Sequence, residues 1–186
     1  DYEAILEKAF YRDKQGTYDR MSGKNLLIYN VIKDYLRKFI ETQLEIVREY
    51  QKEKVLHKVI STEKDLQYSL ELGDDNMVKT LLLKGVADRI DIVGNNLQII
   101  DYKSGNTSGK NFDINKLLAD EQDYRNDYCF QVLLYLWLYN KQHPMERYEG
   151  QYCGVWSMRR IEEGISNVCY DEFPEKSRSP KLYAMM

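Results

Sequence analysis

An α/β fold is predicted from the sequence: a central mixed sheet containing an antiparallel meander, flanked by helices. Three observations carry it. A long segment that starts at Ser22 places apolar residues at spacings of three and four, from Leu27, Ile28, Val31 and Ile32 to Val47 and Tyr50, which is the signature of a helix with one buried face. From Leu66 the pattern shortens to strands punctuated by glycine- and asparagine-bearing turns. An aromatic-rich helical run, Asp127 to Asn140, then separates those strands from two more, and strands on both sides of a helix suit a sheet layered against helices.

Each element follows in order. Leu66 to Leu72 reads as the first strand, and Gly73-Asp74-Asp75-Asn76 as the turn into a second strand that carries Asp88. Gly94-Asn95-Asn96 supplies the next turn, and Leu97 to Lys103 the third strand. Ser104 to Asn126 is a long excursion with a short helix expected from Asp113 to Asp120. It leaves directly from the end of the third strand, and loops of that length are commonly functional. Tyr148 to Met158 and Ile165 to Phe173 read as two further strands around the turn Glu162-Glu163-Gly164.

With 186 residues, the chain is expected to form one domain, residues 1–186, with an adequate core. Charged residues make up 31% and apolar ones 43%, a folded rather than disordered composition. The longest apolar run, Val132 to Tyr139, falls far short of the ~20 residues that a bilayer span needs, and no signal peptide is evident. Cys129, Cys153 and Cys169 cannot all pair and match no zinc spacing, so a reducing, cytoplasmic location is expected. The net charge of −3 is not the basic footprint of a dedicated nucleic-acid binder, although a site that gathers carboxylates around a cation remains compatible with it. His57 and His143 lack any ligand-like grouping.

The chemistry concentrates in the stretch from Leu81 to Gly105. Asp101 and Lys103 lie two apart at the end of an apolar strand and share a face. With Asn95 and Asn96 as a two-residue loop, Gly94 pairs with Leu97, Asp88 falls opposite Lys103, and Ile90 falls opposite Asp101. Arg89 and Asp91 then occupy the other face, opposite Tyr102 and Ile100, as structural charges. An isolated Asp-x-Lys is commonly a surface ion pair of little energy. Two carboxylates converging beside a lysine, however, make hard oxygen ligands for Mg²⁺ or Mn²⁺ with an ammonium ready to stabilise phosphate charge.

Gly85-x-x-Asp88-Arg89-Ile90-Asp91, followed by Ile100-Asp101-Tyr102-Lys103-Ser104-Gly105 and by Tyr128-x-x-Gln131-x-x-x-Tyr135, resembles the RecB-type branch of the PD-(D/E)XK nucleases. The resemblance spans roughly Leu66 to Tyr139. It implies the restriction-endonuclease-like core, DNA as substrate, and a parent protein of the RecB or AddB kind in which a helicase or other domains accompany the nuclease. It further implies that Asp88, Asp101 and the Tyr102 carbonyl hold the metal, that Lys103 orients the attacking water, that Gln131 acts beside the metal or phosphate, and that Tyr135 supports the backbone.

Lys110, Arg125, Arg159 and Arg160 are candidate phosphate contacts. The four-cysteine iron–sulfur cluster of some relatives is not expected, because three cysteines are too few. The upstream histidine or glutamate of such nucleases has no clear counterpart before Leu66. Glu63 is a possible substitute, and the missing helix is expected to precede Asp1, making the chain a fragment. Two functions follow from this sequence: a metal-dependent DNA nuclease, and a nuclease-derived scaffold without catalysis.

Overall fold

The computed structural model describes residues 2–11, 23–74, 77–105, 112–113 and 124–169. The chain divides into two compact units, Asp1–Glu45 and Ile46–Met186. In the first, α1 (Tyr2–Tyr11) and the greater part of α2 (Gly23–Glu53) are linked by an exposed ion pair, Lys33 Nζ to Glu3 Oε1 at 3.0 Å. The helix predicted from Ser22 is present over Gly23–Glu53, but Leu27, Ile28, Val31 and Ile32, expected on its buried face, are exposed. It ends on a left-handed cap: Lys54 has φ 58°, and the Val55 N–H donates to the Tyr50 carbonyl at 2.9 Å, closing carbonyls that the last turn leaves open.

The second unit is built on a six-stranded mixed sheet of order β1-β2-β3-β5-β6-β4. Its strands are β1 (His57–Asp74), β2 (Met77–Val93), β3 (Asn96–Lys103), β4 (Phe112–Asp113), β5 (Gly150–Ser157) and β6 (Ile165–Cys169). Strands β1, β2 and β3 form the expected antiparallel meander. β3 and β5 are parallel, which requires a crossover, and α3 (Tyr124–Gln142) provides its helix. A 3₁₀ turn, Met158–Glu163, replaces the simple turn expected before β6 and ends at Gly164 with φ 72°. The helix expected at 113–120 and the strand beyond Cys169 lie largely outside the described residues.

One face of the sheet holds the core. On α3, Cys129, Val132, Tyr135, Leu138 and Tyr139 are buried, and they meet Leu66, Ile90, Leu97, Ile99 and Val155 from the strands. The helical spacing of three and four sets that stripe. Leu97 and Ile99 alternate with Gln98 and Ile100 along β3, so the same period carries Asp101 and Lys103 to the α3 side.

Two further sequence expectations are corrected. β1 starts at His57, well before Leu66. A register irregularity between Val59 and Ser61 and a left-handed backbone at Glu63, φ 49°, interrupt the alternation that would have revealed it. The hairpin register is also shifted: Gly94-Asn95 is the loop, Val93 pairs with Asn96, and Arg89 pairs with Ile100 and Asp91 with Gln98. Gly94 alone takes a positive φ, 61°, and a turn with glycine first needs no such angle from an asparagine. The loop keeps its even length, so the faces stay as predicted while the partners move. Asp88 is therefore not opposite Lys103, nor Ile90 opposite Asp101.

Candidate active site

Pairing between β2 and β3 stops at Arg89 and Ile100, one step short of Asp88 and Asp101. There the Tyr102 N–H donates to Asp88 Oδ2 at 2.7 Å, so a carboxylate takes the place a ladder carbonyl would fill. In an extended strand the N–H and C=O of one residue point to the same edge, and the Tyr102 carbonyl is directed to that side too. β3 meanwhile stays paired with β5 through Asp101–Val155 and Lys103–Ser157. The site thus sits where one neighbour leaves and the other remains, on a rigid strand.

Asp101 is 2% exposed. Its Oδ2 lies 2.8 Å from Lys103 Nζ, but off the hydrogen-bonding direction, and among the described residues no group makes an aligned hydrogen bond to that oxygen. Burial holds the Asp101 carboxyl above the usual aspartate range, and the nearby Asp88 charge adds to the rise while Lys103 opposes it. Lys103 supplies its counter-charge, without an aligned hydrogen bond to the buried oxygen. Lys103 Nζ also donates to Gln131 Oε1 at 2.9 Å and stands 5.0 Å from the centre of the Tyr128 ring. The Gln131 amide donates in turn to the Tyr135 hydroxyl at 2.6 Å, which fixes which end of the amide faces the lysine.

Asp88, Asp101, Lys103, Gln131 and Tyr135 are thereby gathered into one connected group. The donor set suits a divalent cation: hard carboxylate oxygens, one of them buried without an aligned donor. Among the described residues, no group of three or more His, Cys, Asp or Glu is placed to hold a metal; Asp88 and Asp101 supply two carboxylates. Glu63 is exposed, and its backbone is left-handed, φ 49°. Of the candidate phosphate contacts, Lys110 lies outside the described residues, as does the Arg125 side chain. Arg159 is exposed, and Arg160 Nη1 pairs with Glu163 Oε1 at 3.3 Å. Both follow Ser157, the parallel partner of Lys103, whose hydroxyl donates to the Gly105 carbonyl at 3.1 Å, so they emerge at the same end of the sheet as the site.

The opposite face carries a second polar cluster. Arg89 Nε donates to Asp91 Oδ1 at 2.8 Å and Arg89 Nη2 reaches Asp91 Oδ2 at 2.6 Å. His57 Nε2 meets the same Oδ2 at 3.0 Å, and Arg89 Nη1 donates to the Tyr102 hydroxyl at 3.2 Å. Arg89 and Asp91 are 8% and 1% exposed, so the structural charges expected there form a buried, bidentate pair. His57 is used in this cluster, away from Asp88 and Asp101. Sequence reasoning quoted Tyr128 without giving it a role; its i, i+3 relation to Gln131 was the available signal.

The α/β sheet presents, at one strand end, Asp88 and, two apart, Asp101 and Lys103, with a glutamine from the crossover helix beside them. The family model of the PD-(D/E)XK nuclease superfamily matches residues 2–178, and the chain belongs to that superfamily. Curated proteins give no match. Among the described residues, no helix is long and apolar enough to cross a membrane.

Proposed function

We propose that the protein is a Mg²⁺- or Mn²⁺-dependent deoxyribonuclease of the RecB-like branch, acting within a DNA recombination or repair protein that carries a helicase or other domains. The observation that carries this reading is the buried Asp101 carboxylate, short of aligned donors and set beside Asp88 and Lys103. Gly85 against Tyr135, and Gln131 on Lys103, support the RecB-like assignment, because the residues that mark that branch touch one another.

Asp88 and Asp101, with the Tyr102 carbonyl, would hold the ion, which when bound would polarise the scissile phosphate and make the attacking water more acidic. Asp88 is preset for this, since its Oδ2 is oriented by the Tyr102 N–H. Lys103 places a positive charge where phosphate charge grows and orients the water. Gln131 holds that ammonium in register, and Arg159 and Arg160 add favourable charge for a nucleic-acid backbone at the same sheet end.

The donor count favours a second reading: a non-catalytic scaffold derived from a nuclease. Two carboxylates and one carbonyl leave about half of an octahedral shell to water, and Glu63 lies exposed. Cleavage separates the readings. Fluorescent single-stranded and double-stranded DNA should be cut with Mg²⁺ or Mn²⁺, and Lys103→Ala should lose that activity while keeping its fold and equal or tighter metal affinity. Metal bound without cleavage would support the scaffold. Loss of folding in Lys103→Ala would make Lys103 a structural ion-pair partner.

A further inference from the structure

Lys103 has three partners at once, and they belong to two elements. Asp101 Oδ2, at 2.8 Å, lies on β3; Gln131 Oε1, at 2.9 Å, and the Tyr128 ring, at 5.0 Å, lie on α3. Tyr128 and Gln131 are three apart and share a helix face. An ammonium and a divalent cation repel strongly at short range, so a cation seated on Asp101 removes one of the three partners and leaves the two on α3. The lysine side chain is 21% exposed and has a long flexible stem. Without a second berth it would turn to solvent.

We propose that Tyr128 is a positioning residue for Lys103: its ring face, with the Gln131 carbonyl oxygen, forms the berth that keeps the ammonium in the site when a divalent cation takes Asp101. This rests on the reading of Asp88 and Asp101 as metal ligands. The ring offers the negative face of its quadrupole to a cation, and that face carries no formal charge that would compete for the metal. Gln131 is held in its accepting orientation by Tyr135, so the berth is built before the cation arrives. Both contacts count for more once Asp101 is occupied, and only such a difference between the two states can alter metal affinity.

The test is a Mn²⁺ titration of the full chain by calorimetry, in wild type, Tyr128→Phe, Tyr128→Leu, Lys103→Met and Lys103→Met/Tyr128→Leu. Tyr128→Leu should weaken Mn²⁺ binding about two- to fivefold, the scale of one cation–π contact. Tyr128→Phe keeps the ring and should restore wild-type affinity. Lys103→Met should bind more tightly than wild type, and in that background Tyr128→Leu should have no further effect, since no ammonium remains to be berthed. Gln131→Met gives the same comparison through the other partner if Tyr128→Leu does not fold. Equal weakening in both backgrounds would make Tyr128 merely structural and overturn the proposal, as would unchanged affinity in Tyr128→Leu. A wild-type protein that binds no Mn²⁺ would overturn the metal-site reading itself, and the berth with it.

Discussion

Gly85→Ala is a change of one methyl group that should damage both stability and site. Gly85 pairs with Leu66 on β1, and a Cβ there would stand 2.8 Å from Tyr135 Cδ1 and closer still to Cε1. Carbon atoms in contact prefer about 3.5–4.0 Å, so the ring must retreat by about 1 Å. Tyr135 is 7% exposed and packed in the core, which leaves little room. Overpacking of this kind costs about 1–3 kcal/mol, against the gain of about 0.5–1 kcal/mol that alanine brings over glycine in an ordinary strand. The displaced hydroxyl carries Gln131, and through it Lys103; misplacement by about 1 Å can lower a rate on the order of a hundredfold. Urea unfolding and DNA cleavage measure the two effects. Tyr135→Leu removes the obstructing ring, so Gly85→Ala should cost little in that background. Wild-type stability in Gly85→Ala, or an unchanged cost in the double variant, would refute the reasoning.

Other outcomes are equally specific. Asp91→Ala leaves Arg89 buried without its bidentate partner and should lose about 3–5 kcal/mol in chemical denaturation, with Mn²⁺ affinity unchanged in whatever fraction stays folded. Asp101 has its folded-state pKa raised by burial, so in metal-free protein its ionisation opposes folding. That penalty is absent below the ordinary aspartate pKa of about 3.9 and grows as pH rises through the folded value. Asp101→Asn should therefore flatten the pH dependence of unfolding in this window and be no less stable than wild type at pH 7; a variant markedly less stable there would contradict the burial argument. Gln131→Ala should reduce cleavage more than stability, and a thermal shift large enough to explain the lost activity would return Gln131 to an ordinary helix role.

α2, α3 and the meander were legible because their apolar periods are clear: α2 runs from Gly23, and β2 and β3 carry the expected faces, whereas α1 was not anticipated. The Asp101–Lys103 pair was readable from the period of a strand alone. Register was harder. Glycine and asparagine both tolerate positive φ, and Gly94-Asn95-Asn96 offers two even loops that preserve the faces and differ only in partners. Three-dimensional context decided between them, through the bond from the Glu149 N–H to the Asn95 carbonyl at 2.9 Å and that from Asn96 Nδ2 to the Val93 carbonyl at 3.1 Å. The early part of β1 was hidden by its irregular backbone at Glu63, and the burial of Arg89 and Asp91 by the fact that Tyr50 and His57, which lie far off in sequence, are needed to show it.

Diffraction from crystals grown or soaked in Mn²⁺, collected for its anomalous signal, tests the metal site most directly. The account predicts a peak between the carboxylates of Asp88 and Asp101 and beside the Tyr102 carbonyl, with Lys103 drawn toward Tyr128 and Gln131, and no peak at Arg89 and Asp91 on the opposite face. A peak elsewhere, or a Lys103 ammonium still on Asp101 with no ion beside it at saturating Mn²⁺, would contradict the assignment of Asp88 and Asp101 as the metal-binding pair.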